Sequence, residues 1–236
     1  MHKIDEKLAN VTARLERAAE QAGRPRTEIM LIAVSKTQSA ERLRQAYQWG
    51  QRRFGENYLQ EALDKQQALA DLSDIEWHFI GPIQSNKTRA IAEHFSWVHS
   101  VDRLKIARRL SDARPPELEP LNVCIQVNID SEPSKAGVSP EQLPELAAAI
   151  AALPQLNLRG LMAIPAPGKN HHDQQASFTQ LTNLIQSLRQ TGVSSPLDTL
   201  SMGMSADLEA AIAAGATMVR IGTDIFGPRA AQSTQV

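Results

Sequence analysis

The first stretch of the chain carries apolar residues at helical spacing, with charged residues between them. These apolar positions recur along one face and are Ile4, Leu8, Val11, Leu15, Ala18, Ala19 and Ala22. Gly23 and Pro25 follow directly, and both residue types commonly end a helix. We therefore predict an amphipathic N-terminal helix.

After this helix, short apolar runs alternate with segments of helical periodicity. Eight runs have the composition of buried strands, namely Ile29–Ser35, Arg53–Glu56, Ile75–Ile80, Trp97–Val101, Val123–Ile129, Leu158–Ile164, Thr199–Met202 and Met218–Ile221. Seven segments between them predict helices, namely Ala40–Trp49, Tyr58–Leu69, Lys87–His94, Arg103–Leu110, Pro140–Ala151, Gln174–Arg189 and Ala206–Ala213. This alternation is the pattern of a (β/α)8 barrel. A doubly wound open sheet competes, but no G-x-G-x-x-G follows the first strand.

No internal repeat, low-complexity block or long linker divides the chain. Its 236 residues fit one large α/β domain or two small ones. We predict a single (β/α)8 TIM barrel with an extra N-terminal helix over residues 1–229, and a frayed tail over residues 230–236.

Charge and cysteine content disfavour several classes of protein. The net charge of -1 argues against a nucleic-acid-binding surface, which normally carries excess Lys and Arg. The single cysteine, Cys124, lies in an apolar run and has no partner for an internal disulfide. No apolar stretch approaches the roughly 20 residues that span a bilayer, and no signal-peptide pattern opens the sequence. We therefore expect a cytoplasmic protein without membrane or nucleic-acid partners.

In a (β/α)8 barrel, functional side chains follow the C-terminal ends of the strands, where the loops build one site. Chemistry-bearing residues stand at these positions after five of the predicted strands. They are Lys36, Asn57, His78, Ser205, Arg220, Gly222 and Thr223. The predicted fold brings them to one mouth, although a lone histidine in such a strand is more often a core residue with satisfied hydrogen bonds.

Lys36 ends an apolar, buried strand, which is an uncommon position for an ammonium group. Desolvation lowers the pKa of a lysine, and the neutral amine can condense with an aldehyde. The alternative is a lysine that simply reaches solvent where its strand ends.

The segments after the last two strands commonly form the phosphate site of such barrels. Ser205 offers a hydroxyl and is predicted to cap the next helix, Gly222 allows close backbone approach, and Thr223 adds a second hydroxyl. The alternative is an ordinary capped helix and a glycine turn. A phosphate site beside a strand-end lysine points to an aldehyde that carries a phosphate, and pyridoxal phosphate is the candidate.

Arg220 lies two residues before Gly222 and therefore points to the same side of the eighth strand. From there it could reach the pyridine nitrogen of pyridoxal phosphate, where its charge would disfavour ring protonation. The alternative is a buried ion pair with a carboxylate of a neighbouring strand.

Six ordered motifs give the sequence a specific family resemblance that extends to about Arg229. They are Ala33-Val-Ser-Lys36-Thr, Phe54-Gly-Glu-Asn57-Tyr, Trp77-His-Phe-Ile-Gly81-Pro-Ile-Gln-Ser-Asn86-Lys87, Gly160-Leu-Met-Ala, Ser201-Met-Gly-Met-Ser205-Ala-Asp and Val219-Arg-Ile-Gly-Thr-Asp-Ile-Phe-Gly227. The chain resembles the pyridoxal phosphate homeostasis proteins. That resemblance implies one barrel similar to the N-terminal domain of alanine racemase and to the eukaryotic-type ornithine decarboxylases.

The resemblance also implies a role for each candidate residue. Lys36 would hold pyridoxal phosphate as an internal aldimine, and Arg220 would face the pyridine nitrogen. Asn57 and His78 would line the cofactor. Phosphate contacts are implied for Ser205, Gly222 and Thr223.

The function implied by the resemblance is to buffer, carry or regulate pyridoxal phosphate, and to pass it to apoenzymes, without an established reaction. Racemisation needs a proton donor on each face of the substrate carbon. The related racemase takes its second base, a tyrosine, from a separate β-domain and a dimer partner. This chain leaves no room for that domain, and its only tyrosines are Tyr47 and Tyr58. We therefore expect a monomer that is not an enzyme. One alternative is a pyridoxal phosphate-dependent racemase or decarboxylase of amino acids. Another is a cofactor-free Schiff-base aldolase.

Other candidate groups have weaker support. Lys87 and Lys135 are predicted near the barrel mouth and could catch released cofactor, although solvated lysines are the favoured alternative. Many relatives carry a lysine two positions after the Schiff-base lysine, where this chain has Gln38, so a handover step that needs this lysine is in doubt. The adjacent His171 and His172 lack metal-ligand spacing, and we predict no metal.

Overall fold

Eight parallel strands close into a barrel in the computed structural model, which describes residues 4–130, 136–166 and 171–228. The strands are β1 (Met30–Val34), β2 (Arg53–Glu56), β3 (Glu76–Phe79), β4 (Trp97–Val101), β5 (Leu121–Gln126), β6 (Leu156–Met162), β7 (Thr199–Ser201) and β8 (Met218–Ile221). Each strand pairs with the next, and β8 pairs with β1. The predicted (β/α)8 barrel is confirmed.

Helices cover the outside of the barrel. They are α1 (Ile4–Gln21), α2 (Ala40–Gln48), α3 (Leu59–Ala68), α4 (Thr88–His94), α5 (Leu104–Ala113), α6 (Leu143–Ala151), α7 (His171–Gln190), α8 (Leu208–Ala213) and α9 (Thr223–Phe226), with short 3₁₀ helices at Arg26–Glu28 and Ser85–Lys87. The predicted N-terminal helix is present as α1, and its apolar face is buried. Arg14 on α1 pairs with Glu209 at 2.5 Å and with Asp224 at 3.0 Å, so it ties α1 to α8 and α9.

Two helices near the end of the chain differ from the prediction. The helix expected to begin at Ala206 begins at Leu208, and Asp207 occupies its N-cap position. The short helix α9 was not predicted, because four residues are too few to show a helical period of hydrophobicity. Both differences lie beside candidate site residues.

The strands are buried on both faces, which explains why they appear in the sequence as continuous apolar runs. Outward-pointing residues such as Leu31 and Ala33 belong to the main core that the helices complete. A second, separate cluster fills part of the barrel interior and contains Ile32, Trp97, Cys124, Met162 and Met218. Side chains therefore pack inside the barrel as well as around it.

The lone cysteine belongs to this interior cluster, as its apolar neighbours predicted. Cys124 is fully buried, and burial raises the pKa of its thiol to about 12. Such a thiol stays protonated at neutral pH and packs as a small apolar group.

Polar side chains close the N-terminal end of the barrel. The guanidinium of Arg159 lies 4.9 Å from the centre of the Trp97 ring and pairs with Asp198 at 2.7 Å. It also donates a hydrogen bond to Asn122 Oδ1 at 3.2 Å. The cavity that carries the candidate residues opens at the opposite end.

Several sequence predictions fall outside the part of the chain that the structure describes. They include the tail over residues 230–236 and the position of Lys135. The division into one barrel domain and a tail therefore stays a prediction. Among the helices within the described ranges, none is long and apolar enough to cross a membrane.

Replacing Gly160 tests how closely β6 and β7 approach each other. A Cβ at Gly160 would lie 1.9 Å from the carbonyl oxygen of Thr199, so the two strands would have to separate. We expect Gly160→Ala to lower the free energy of unfolding by about 1–3 kcal/mol or more, measured by urea unfolding.

Gly50→Ala is the matched control, because no atom lies within 4 Å of a Cβ built there and φ is +90°. Only backbone strain acts at that position, so a smaller loss of about 1 kcal/mol is expected. Equal stability of Gly160→Ala and the wild type would contradict the strand packing.

Candidate cofactor site

A cavity of about 290 Å³ opens at the C-terminal end of the strands. Six of the seven predicted site residues line it, namely Lys36, Asn57, Ser205, Arg220, Gly222 and Thr223. Its other walls are mainly apolar and include Val34, Ile80, Ile164, Met204 and Phe226. A concave, mostly apolar cavity with a few convergent polar groups is the usual form of a small-molecule site.

A tight turn after β1 brings Lys36 to the cavity. The Gln38 N–H donates to the Ser35 carbonyl at 3.0 Å, so Lys36 is the second residue of a four-residue turn. The third residue, Thr37, has a φ of +64°. Gln38 also lines the cavity, and its Oε1 accepts a hydrogen bond from Arg42 at 2.6 Å. The backbone conformation of the whole turn therefore determines where the Lys36 side chain points.

Arg220 is a buried cation on the cavity wall. Its Nη1 donates to Ser201 Oγ at 2.7 Å and its Nη2 donates to the Ala163 carbonyl at 3.0 Å. Both acceptors are neutral oxygens, whereas the alternative considered from the sequence was an ion pair with a carboxylate. Burial lowers the pKa of Arg220 to about 10, so the side chain remains charged at neutral pH.

Behind Arg220, a chain of hydrogen bonds crosses the barrel interior. Ser201 Oγ lies 2.7 Å from His99 Nδ1, and His99 Nε2 lies 2.9 Å from His78 Nδ1. His78 Nε2 lies 2.8 Å from Glu76 Oε1. His78 therefore sits one layer below the cavity and is not among the residues that line it. Its ring stacks on Trp97, with ring centres 5.6 Å apart.

The protonation states of this chain follow from burial. Burial lowers the pKa of His78 and lowers that of His99 well below the ordinary value, so both rings are neutral. Burial acts to raise the pKa of Glu76, but the hydrogen bond with His78 and the charge of Arg53, 3.4 Å away, outweigh it, and the pKa of Glu76 is lowered. With a carboxylate at Glu76, each neutral ring must carry its proton on Nε2. Every group from Arg220 to Glu76 then donates to the next one.

The residues predicted to contact phosphate come together on the cavity wall, but one local prediction about them is wrong. Ser205 is not the N-cap of α8; Asp207 is, and its Oδ1 accepts the Met204 N–H at 2.5 Å. Ser205 thus stands in the loop between β7 and α8. A Cβ at Gly222 would lie 3.2 Å from the carbonyl oxygen of Val34. The absence of a side chain at Gly222 therefore allows this part of the cavity wall to lie close to β1.

Asn57 lines the cavity and carries a side-chain acceptor without a partner among the described residues. Its Oδ1 is buried and has no hydrogen-bond partner among the residues that the structure describes. A buried polar atom without a partner is costly, and a ligand that donates a hydrogen bond would satisfy it. The backbone here is tightly packed, since a Cβ at Gly81 would lie 2.2 Å from the Asn57 carbonyl oxygen.

The other candidate groups lie elsewhere. Tyr47 donates a hydrogen bond to Asp74 on the outer surface, and Tyr58 is 56% exposed; neither lines the cavity. Lys87 is exposed in the second 3₁₀ helix and does not line the cavity. Within the described ranges, no group of three potential metal ligands is present. The prediction of no metal site therefore stays a prediction for the whole chain.

Sequence reasoning did not identify His99 as a residue that supports the site. His99 lies two residues after Trp97 along β4, so the two side chains point to the same side of the strand, and that spacing is the one signal that His99 points into the barrel. Its partners are distant in sequence, because Ser201 is 102 positions away. Only the closed barrel brings them together.

Comparison with known proteins shows the broad class of proteins to which the chain belongs. The sequence matches the family described as alanine racemase, N-terminal domain, over residues 7–230. The solved alanine racemase from Corynebacterium glutamicum is 18% identical with a TM-score of 0.67, covering 93% of this chain and 61% of that chain, so this likeness shows the fold alone. The fold and site thus define a barrel of the alanine racemase N-terminal class.

More similar relatives define the family within that class. The Pyridoxal phosphate homeostasis protein of Pseudomonas aeruginosa is 60% identical over 229 residues, or 97% of each chain. That of Escherichia coli (strain K12) is 53% identical over 231 residues, covering 97% of this chain and 98% of the relative. The structure of PipY from Synechococcus elongatus with PLP bound is 39% identical with a TM-score of 0.83, covering 95% of this chain and 100% of that chain. The chain belongs to the pyridoxal phosphate homeostasis protein family.

The buried histidines predict a pH dependence of stability. Burial lowers the pKa of His78 and of His99 in the folded protein below 6.5, so the unfolded chain binds more protons as the pH falls. The stability that depends on the two neutral rings is fully present above about pH 6.5 and decreases as the pH falls below that value. Between about pH 7.5 and about pH 5.5, we expect the free energy of unfolding to fall by up to roughly 1.4 kcal/mol per pH unit for each ring.

Urea unfolding across this pH range tests the prediction. His99→Gln should make the slope shallower, and His94→Gln, at an exposed position on α4, is the control. A slope that His99→Gln leaves unchanged would contradict the assignment of neutral rings.

Proposed function

We propose that this chain binds pyridoxal phosphate covalently through Lys36 and acts in its homeostasis as a buffer or carrier. The observation that carries the proposal is the position of Lys36 in one cavity with a buried arginine and the segments that follow β7 and β8. Membership of the pyridoxal phosphate homeostasis protein family supports the same ligand.

The residues of the cavity fit the functional groups of this cofactor. When bound, pyridoxal phosphate supplies an aldehyde carbon, a pyridine nitrogen and a phosphate. Lys36 Nζ must lose a proton before it can bond to that carbon with release of one water. Asn57, which lines the cavity and whose Oδ1 has no partner among the described residues, would accept a hydrogen bond from a donor on the ligand. The phosphate-binding groups would be Ser205, Gly222 and Thr223.

Arg220 would determine the electronic state of the bound ring. Because the pKa of Arg220 is about 10, it keeps its charge at neutral pH. A fixed positive charge disfavours a proton on a neighbouring ring nitrogen. The ring then withdraws electrons less strongly, and this narrows the reactions that the cofactor could support.

A non-catalytic role is supported by what lines the cavity. Among its described lining residues, Lys36 is the one side chain of a type that commonly acts as a general acid or base. Tyr47 and Tyr58 are not part of the wall. Racemisation and related chemistry need a second acid or base on the other face of the substrate. We therefore favour a carrier over a racemase or decarboxylase of amino acids.

The proposal extends to partners and place of action. Ile164 and Met204 are 42% and 36% exposed at the cavity, so its rim is open and partly apolar. Such a rim is accessible to pyridoxal phosphate-dependent apoenzymes, which we propose as recipients, with the protein acting as a cytoplasmic monomer. The cofactor-free aldolase considered from the residues is disfavoured by the family to which the chain belongs.

Borohydride trapping tests the covalent role of Lys36. Wild-type protein incubated with pyridoxal phosphate and then reduced should carry one pyridoxyl group on the peptide that contains Lys36, located by mass spectrometry. Lys36→Ala should lose this label, because the amine that forms the bond is gone. Lys87→Ala, an exposed lysine outside the cavity, should keep it.

An unlabelled wild type, or an unchanged label on Lys36→Ala, would overturn the proposal. A screen of amino acids for racemisation and decarboxylation separates carrier from enzyme. Sustained turnover that Lys36→Ala abolishes would favour the enzyme.

A further inference from the structure

A cluster of three ionisable side chains, two of them buried and one 29% exposed, lies outside the barrel, directly behind the turn that carries Lys36. We name it the Lys65 cluster, and it consists of Glu56, Glu61 and Lys65. Lys65 Nζ lies 2.7 Å from Glu56 Oε1 and 2.5 Å from Glu61 Oε1. Glu56 is fully buried at the end of β2, and Lys65 on α3 is 5% exposed. None of the three lines the cavity.

The turn in front of the cluster contains a strained residue. Thr37 has a φ of +64°, in the left-handed region that favours glycine. A β-branched side chain is especially unfavourable there, so the surroundings must hold the backbone in place. Thr37 follows Lys36 directly, and any relaxation of its backbone would redirect the Lys36 side chain.

The Lys65 cluster holds the backbone on both sides of Lys36. Lys65 Nζ donates to the Ser35 carbonyl at 2.7 Å, and Ser35 Oγ donates to Glu56 Oε1 at 2.6 Å. On the other side, the Thr37 N–H donates to Glu61 Oε1 at 2.5 Å. The same oxygen of Glu61 accepts from Lys65. Lys65 thus couples the two anchors.

We propose that Glu61 and Lys65 are positioning residues that keep Lys36 aimed into the cavity by holding Thr37 in its left-handed conformation. This inference rests on the proposed function, in which Lys36 bonds to the aldehyde of pyridoxal phosphate. Buried ion pairs commonly contribute little net stability, because desolvation offsets their attraction. A role in fixing a strained turn accounts for the position of this one.

The test uses glycine to remove the strain. Glu61→Ala leaves Lys65 paired with Glu56 and removes the acceptor of the Thr37 N–H. We expect it to weaken the equilibrium affinity for pyridoxal phosphate about tenfold, measured by absorbance titration. Adding Thr37→Gly should restore the affinity to within about twofold of Thr37→Gly alone, since glycine adopts a positive φ without strain. A merely structural loss of stability would not be rescued in this way.

Asp64→Ala is the matched control, because Asp64 is an exposed carboxylate on the same helix. It should bind pyridoxal phosphate as the wild type does. Unchanged affinity in Glu61→Ala, or no restoration by Thr37→Gly, would overturn the inference.

Amide hydrogen exchange of the cofactor-free protein reports on the turn itself. Glu61→Ala should raise exchange at the Thr37 and Gln38 amides about tenfold or more, and Asp64→Ala should not. Unchanged exchange in Glu61→Ala would overturn the inference independently of binding. A wild type that takes up no pyridoxal phosphate overturns the proposed function and this inference with it, whereas a failure confined to the variants overturns the inference alone.

Discussion

The pairing of β8 with β1 is the constraint on which the candidate site depends. In its register, Ile32 lies opposite Arg220 and Ala33 lies opposite Ile221. The residues that follow these strands therefore reach the same level of the barrel, although almost the whole chain separates them. Lys36 and Thr223 meet at one cavity for this reason, so an amine and two hydroxyl-bearing side chains line a single cavity.

Two buried polar systems support this arrangement, one inside the barrel and one outside. In the interior chain each group from Arg220 to Glu76 donates a hydrogen bond to the next one, and the chain holds the guanidinium at the cavity wall. The Lys65 cluster works from the opposite side and holds the turn at Lys36. Such networks are costly when a member is missing, so each of them specifies one geometry. The apolar core stabilises the fold, and these networks orient Arg220 and the turn that carries Lys36.

The sequence was sufficient for the fold and for most of the cavity because both follow from local patterns. Apolar runs indicate the strands, and the rule that functional side chains follow strand ends is enough to select Lys36, Asn57 and Arg220. The N-cap of α8 was misplaced because Ser205 and Asp207 are both good caps, and local sequence does not choose between them. The role of His99 could not be predicted, since its partners lie on other strands.

The measurement that tests the account most directly is the ratio of dissociation constants for 5′-deoxypyridoxal and pyridoxal phosphate with the wild-type protein. Both ligands offer the same free aldehyde to Lys36, because neither has a 5′-hydroxyl that could close on it, so the ratio isolates the groups after β7 and β8 that line the same cavity. Two or more charge-assisted hydrogen bonds to phosphate predict that pyridoxal phosphate binds at least about 100-fold more tightly. Equal affinities would contradict the claim that the barrel closes around one ligand with an amine at one end and a phosphate site at the other.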